Sequence, residues 1–204
     1  MSSPWQLNSD EMALVQNAQW LLTKQQVIDK VYELLGQLSI AYSRLLVQYP
    51  LYDTAVHLPS PKIARGEYYR QLPYVILDQP RYFTGENALA IRSFFWWGNS
   101  FSIHLHLSGT PLKACLPVLL QHLANGKLQQ WHTVLTEDRW QHYFGPGNYV
   151  DINSISAADI ASRWQQQPFL KLAKTLPLHQ WDTAYHFYLQ AFEELLVLLS
   201  TEKK

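Results

Sequence analysis

Apolar residues recur at alternating spacings of three and four in two long stretches, one near each end of the chain. This spacing is typical of a helix that packs along one face. We predict a long N-terminal helix that begins at a capping box formed by Thr23 and Gln26 and ends at Pro50. A last helix is predicted from about Leu178. The two apolar stripes consist of Val31, Leu35, Leu38, Tyr42, Leu45 and Tyr49, and of Trp181, Tyr185, Tyr188, Phe192, Leu195 and Leu199.

A shorter helix is predicted ahead of the long one. Asn8 or Ser9 can cap it, and Asp10 and Glu11 are favourably placed in its first turn. Its apolar contacts are expected to come from Met12, Leu14, Val15, Leu21 and Leu22.

The central stretch Ile91–Leu107 is the densest aromatic and β-prone run in the chain. Gly98-Asn99 is a two-residue turn signal, which predicts a β-hairpin. The resulting register puts Ser93 opposite His104 on one face of the sheet. The predicted core face carries Phe94, Trp96, Phe101, Ile103 and Leu105, with Arg92 near its end. The predicted polar and aromatic face carries Ile91, Ser93, Phe95, Trp97, Ser100, Ser102, His104 and His106.

The pattern elsewhere predicts shorter elements. Tyr68–Asp78 is expected to form a strand entered after Pro73 and broken by Gln79-Pro80. Leu128–Leu135 is another strand candidate. Helices are predicted from Pro111 to Asn125-Gly126, from Ser156 to about Pro168 and over about Phe169–Leu176.

These elements predict an α+β fold, with a small antiparallel sheet built on the central hairpin and packed against N- and C-terminal helices. We expect one domain over residues 1–204. Its parts are a helical segment at 1–50, a sheet-forming segment at 67–135 and a helical segment at 154–200.

Composition narrows the classes of function. Lysine plus arginine equals aspartate plus glutamate, 16 each in 204 residues, so no basic surplus favours nucleic-acid binding. No stretch approaches 18 uncharged apolar residues and the first residues lack a signal-peptide pattern, so we expect a cytoplasmic protein outside the membrane. The single Cys115 excludes an internal disulfide, and its leucine neighbours indicate a buried thiol.

His104 and His106 are the residues that most suggest chemistry. Alternation along a strand puts both imidazoles on one face, an arrangement that metal sites use. A metal needs a third ligand, and none of the available residues stands at an identifying spacing. These residues are His57, Asp78, Glu86, His132 and His142. We therefore expect no bound metal and no cofactor. The alternative is a structural role, in which both rings hydrogen-bond to serines and aromatic hydroxyls.

Classical catalytic patterns have less support. Ser93 opposite His104 suggests a nucleophile and its base, but no third orienting group is evident, and a cross-strand hydrogen bond explains the pair equally well. The carboxylates lie mostly in predicted loops, and no pair of them stands out.

The polar and aromatic face predicts a binding module for a small molecule or a protein partner. The predicted ligand-binding residues are Ser93, Phe95, Trp97, Ser102, His104, His106 and Tyr74. One alternative is a metal-dependent or acid–base enzyme that uses His104 and His106. Another is a structural or regulatory partner protein with an exposed aromatic patch and no pocket.

Overall fold

The computed structural model describes residues 3–51, 56 and 59–200. In this part of the chain it has five α-helices and one antiparallel sheet of seven strands, which confirms the α+β class. The helices are α1 (Ser9–Gln16), α2 (Ala18–Gln48), α3 (Gly109–Ala124), α4 (Ala157–Gln166) and α5 (Ala184–Leu199). The strands are β1 (Lys62–Tyr69), β2 (Leu72–Thr84), β3 (Asn87–Trp96), β4 (Ser100–Ser108), β5 (His132–Val134), β6 (Tyr149–Asp151) and β7 (Phe169–Pro177).

The sheet is centred on the β3–β4 hairpin, as predicted. The strand order is β1-β2-β3-β4-β7-β5-β6, so the last strand in the sequence is inserted beside β4. Helices α2, α3 and α5 cover one face of the sheet and enclose the main apolar core. The opposite face is covered by residues 135–148, which connect β5 to β6 and are called the covering loop below.

The predicted register of the hairpin is wrong by one residue. The strands are joined by the three residues Trp97–Asn99, not by two, and Gly98 adopts a positive φ of 70°. Ser93 therefore pairs with Ile103, and Phe94 pairs with Ser102. Because side chains alternate along a strand, one extra loop residue exchanges the faces of one strand relative to the other.

The segment predicted as a single strand, Tyr68–Asp78, contains a turn. Arg70 and Gln71 join β1 to β2, with positive φ angles of 49° and 67°. Neither residue type marks a tight turn, so the sequence pattern missed it. The predicted break at Gln79-Pro80 is a register shift between Asp78 and Arg81, and β2 continues through it to Thr84.

The predicted short helix over Phe169–Leu176 is a strand, β7. It pairs with β4 along its whole length, from Phe169 opposite Ser108 to Pro177 opposite Ser100. Apolar residues at alternate positions fit a buried strand, and tertiary pairing decided between the two readings of this short run. The predicted helical segment 154–200 therefore contributes a strand to the centre of the sheet.

Helices α2 and α5 pack against each other and against the sheet, as predicted. The α2 stripe is buried and consists of Ile28, Val31, Leu35, Leu38 and Tyr42. The Tyr42 ring stacks on that of Phe192 with a centroid distance of 3.6 Å. The start of α2 differs from the prediction: it lies at Ala18, capped by the side chain of Asn17.

Among the described residues, no helix is both long and apolar enough to cross a membrane.

We predict that Leu38→Ala lowers the free energy of unfolding by about 2–5 kcal/mol, because the side chain is fully buried and its removal leaves a cavity. The control is Ile40→Ala on the exposed side of the same helix, which should change it by less than about 0.5 kcal/mol. Urea unfolding of both variants measures the difference. Equal values would show that α2 does not anchor the core.

Candidate functional site

The face of the sheet under the covering loop is buried and polar; we call it the polar face. In β4 the odd positions are apolar and point at the helices, and the even positions are Ser102, His104, His106 and Ser108. All four are buried. The neighbouring strands add Asp78, Arg92 and Lys171 to the same face, as their register with β4 requires.

The structure divides the seven residues predicted to bind a ligand into three groups. Four lie on the polar face, namely Tyr74, Ser102, His104 and His106. Ser93 and Phe95 point to the helical side, where the Ser93 hydroxyl lies 2.9 Å from the hydroxyl of Tyr42. Trp97 lies in the hairpin loop. The suggested contact between Ser93 and His104 is absent because the two side chains are on opposite faces.

Arg92 on β3 and Asp78 on β2 form a bidentate ion pair. Arg92 donates from Nε to Oδ1 at 2.7 Å and from Nη2 to Oδ2 at 2.8 Å. Both side chains are largely buried. Burial disfavours the charged guanidinium, but Asp78 outweighs this effect and the pKa of Arg92 is raised. The carboxylate that a buried arginine requires is therefore supplied by the adjacent strand.

Lys171 on β7 is completely buried, yet none of the ion pairs among the described residues includes it. Its Nζ donates to the backbone carbonyls of Arg139, at 3.2 Å, and of Gln141. Both carbonyls belong to the covering loop, so the amine holds the loop against the sheet. Burial, with a further contribution from Arg92, lowers the pKa of Lys171 well below its usual value.

The hydrogen bonds of His142 indicate that Lys171 is uncharged. Arg92 has no acceptor atom, so its Nη1 donates to His142 Nε2 at 2.9 Å. In the neutral ring the proton then lies on Nδ1, which faces Lys171 Nζ at 3.3 Å. Nζ can accept a hydrogen bond from Nδ1–H only as an uncharged amine, which has a lone pair. The two N–H groups of this amine then donate to the two loop carbonyls. Geometry and the lowered pKa therefore agree that Lys171 is neutral.

His104 sits at the centre of the polar face. Its Nε2 lies 2.8 Å from the hydroxyl of Ser102, and its Nδ1 lies 2.9 Å from that of Tyr149. Burial is the main cause that lowers the pKa of His104 well below 6.5. Ser102, His104 and Tyr149 thus form a hydrogen-bonded chain. This is the structural role that the sequence suggested as the alternative to metal binding.

His106 lies in an aromatic surround. The rings of Phe83, Trp140 and Phe169 have centroids 5.7–6.1 Å from its own. Among the described residues, its Nε2 has no hydrogen-bond partner. Burial is the main cause that lowers the pKa of His106 to about 3. The ring is therefore neutral over the physiological pH range.

The covering loop is also held by Tyr69 on strand β1. The Tyr69 hydroxyl accepts hydrogen bonds from the backbone N–H groups of His142, at 2.7 Å, and Tyr143, at 3.1 Å. The Tyr69 ring packs edge-on against Phe94. The loop therefore encloses the polar face, and a ligand would reach His104 only if the loop moved.

The sequence identified only part of this cluster. Arg92 was placed near the end of the core face, and Asp78 and His142 were named as possible metal ligands. Lys171 was missed because its segment was assigned to a helix. The signal that could have found it is the short apolar run Phe169–Ala173, which is interrupted by a single lysine.

The described residues contain no group of three or more histidine, cysteine, aspartate or glutamate side chains placed to hold a metal ion. His57, one of the suggested third ligands, and Asp53 lie outside the described residues. Glu86 is strongly exposed and pairs with Arg139 at 3.5 Å.

A second candidate surface lies at the start of the chain. Residues 4–23, called the N-terminal arm below, are exposed along their whole length. Helix α1 has a capping box between Asn8 and Glu11 but no buried residue. Eight large apolar side chains of the arm are 44–79% exposed: Trp5, Leu7, Met12, Leu14, Val15, Trp20, Leu21 and Leu22. The expectation that Met12, Leu14, Val15, Leu21 and Leu22 supply internal contacts is therefore wrong.

A groove of about 550 Å³ runs along α5, on the helical side of the sheet. Trp131 and Lys174 line it, with the ammonium 4.7 Å from the centroid of the indole ring. Lys174 also forms an ion pair with Glu194. The groove is remote from the polar face, which points away from α5.

Comparison with known protein families, curated proteins and solved structures found no match to this chain.

We predict that acid destabilises the fold steeply below pH 6.5. Burial lowers the pKa values of His104, His106 and His142, so the unfolded chain binds three protons that the folded chain does not. The contribution of these three rings to stability is therefore complete above the unfolded pKa and is lost as the pH drops, by up to about 4 kcal/mol per pH unit. Urea unfolding from pH 6.5 to 5 measures this slope.

His106→Gln should lower the slope of stability against pH by about 1.4 kcal/mol per pH unit, which is the contribution of one proton. The matched control is the exposed His186, whose replacement by glutamine should leave the slope unchanged because folding does not bury it. Identical slopes in His106→Gln and the unmodified protein would mean that His106 is not buried as a neutral ring.

A second prediction concerns the alkaline side. Because folded Lys171 is neutral and the unfolded side chain is protonated below about pH 10.4, stability should rise with pH by about 1.4 kcal/mol per unit. The window is pH 7.0–8.5, because burial raises the pKa of Cys115 to about 11 and that thiol lowers stability at higher pH. Lys171→Met should abolish the rise. An equal rise in both proteins would show that folded Lys171 carries its charge.

Proposed function

We propose that this protein is a protein-binding module and that the N-terminal arm is its binding element. The observation that carries the proposal is the run of eight exposed apolar side chains in the arm. Contiguous apolar surface of this kind on a folded protein marks an interaction site. The polar face, by contrast, is enclosed by the covering loop.

The helical form of the arm supports the same proposal. Isolated helices shorter than about 12–15 residues are marginally stable in water, and α1 has eight residues with none buried. Its capping box satisfies backbone N–H groups at the first turn but adds no apolar contact. Burial against another protein would supply the missing stabilisation.

The composition of the arm matches that of interface cores. Its charged residues are Asp10 and Glu11, and two of its apolar residues are Trp5 and Trp20. Interface cores are depleted of charge and enriched in aromatic residues. Trp5 is the most exposed large apolar side chain of the arm, and tryptophan is a frequent hot-spot residue.

The alternative of an acid–base enzyme ranks below the binding module. His104 is only 1% exposed, and its two ring nitrogens already face Ser102 and Tyr149. A substrate would have to displace the covering loop, which Lys171 and Tyr69 hold by hydrogen bonds. Small-ligand binding by the polar face faces the same obstacle.

We predict that the triple variant Leu14→Gln, Val15→Gln and Leu21→Gln loses partner binding and keeps its fold. Glutamine preserves helix propensity, and the three side chains are 50–70% exposed, so the free energy of unfolding should change by less than about 1 kcal/mol. Quantitative affinity capture from an extract of the source cells compares the variant with the unmodified protein.

The matched control is Val47→Gln near the other end of α2, where the side chain is 82% exposed. Proteins captured by the unmodified chain and by this control should be absent with the triple variant. An unchanged set of captured proteins in the triple variant would refute the assignment of the arm.

A further inference from the structure

We propose that the arm binds a second copy of this chain, with the two arms antiparallel about a two-fold axis. This inference rests on the proposed function of the arm and adds the identity of its partner. In an isologous interface the same patch is used by both copies, so the surface must complement itself in size, charge and shape.

The apolar area of the arm is sufficient for a dimer. Aromatic side chains have areas of about 150–250 Å² and aliphatic ones are smaller, so the eight exposed fractions in the arm amount to roughly 700–800 Å². A standard interface buries about 800 Å² from each partner. Two arms packed together would therefore approach the usual size.

The charges of the arm favour the antiparallel arrangement. Residues 3–27 contain three charged side chains, Asp10, Glu11 and Lys24, with the acids near one end and the lysine near the other. Antiparallel arms bring the acids of one copy beside Lys24 of the second copy, whereas parallel arms bring like charges together. Lys24 already pairs with Glu67 at 2.8 Å, so the acids of the second copy would share its ammonium with Glu67.

The backbone of the arm also suits this arrangement. Asn17 separates α1 from α2 with non-helical angles, φ −90° and ψ 77°, and its side chain caps α2. Helix α1 is therefore a separate segment that can lie along the first turns of α2 in the second copy. The two-fold axis then passes near Asn17 and Ala18, halfway between Glu11 and Lys24.

The first test is the molar mass in solution, measured by light scattering during size-exclusion chromatography at tens of micromolar protein. The expected mass is twice 23.8 kDa. The triple glutamine variant should raise the dimer dissociation constant by at least about 100-fold, as the loss of three buried apolar side chains implies. Val47→Gln should remain dimeric. A monomeric unmodified protein would overturn the inference.

The second test locates the axis by disulfide formation in a Cys115→Ala background, which removes the single native thiol. Ala18→Cys, an exposed position beside the axis, should form a covalent dimer under mild oxidation. Trp5→Cys should not, because antiparallel arms hold the two copies of residue 5 far apart. Cross-linking of Trp5→Cys would indicate parallel arms. A dimer without either cross-link would place the arm elsewhere, for example in the groove beside Trp131. Either result would overturn the arm-to-arm proposal.

These outcomes separate this inference from the proposed function. A monomeric protein that still captures partners through its arm retains the function and rejects self-association. A monomer whose captured proteins do not depend on the arm rejects both.

Discussion

The structure depends on strand β4 being buried on both faces. Its apolar positions pack against the helices, which is the ordinary contribution of a strand to a core. Its polar positions, Ser102, His104 and His106, must then be covered without leaving their hydrogen-bonding groups unsatisfied. For Ser102 and His104 this requirement is met within the strand and by Tyr149 of β6, while the covering loop brings His142 over the strand. The Nε2 atom of His106 is covered by aromatic rings and has no hydrogen-bond partner among the described residues. The second face of the sheet is therefore a polar interior.

The polar interior is stabilised by limiting its charge. Arg92 keeps its charge and pairs with Asp78, whereas the histidines and Lys171 are held neutral by burial. A neutral Lys171 can bind two loop carbonyls and accept from His142, which a charged amine could not do. Burial of such groups makes the fold sensitive to pH because the unfolded chain binds the missing protons. The same network explains why a cluster rich in histidine is closed to solvent.

The arm contrasts with this enclosed interior. The body of the protein holds polar groups such as Arg92, His104 and Lys171 in specific buried contacts, whereas residues 4–23 leave large apolar side chains in water. Apolar surface without internal contacts is stabilised by association. In the proposed division of roles, the sheet and its loop form the enclosed body of the protein, and the arm on α2 carries the interaction. Because α2 is anchored by Leu38 and Tyr42, the arm extends from a fixed base.

The sequence alone determined the elements whose signals are local. The four-three stripes of α2 and α5, the central hairpin and the alternation in β4 follow from side-chain periodicity, which does not depend on distant residues. Tertiary structure decided the features that side-chain periodicity leaves open, namely strand register and the choice between helix and strand in short apolar runs. The hairpin register depended on whether its loop has two residues or three, and Phe169–Leu176 became a strand because β4 offered a free edge. The ion pair of Arg92, the neutral state of Lys171 and the exposure of the arm were likewise set in three dimensions. Each depends on which residues from distant parts of the chain lie within a few ångströms of one another.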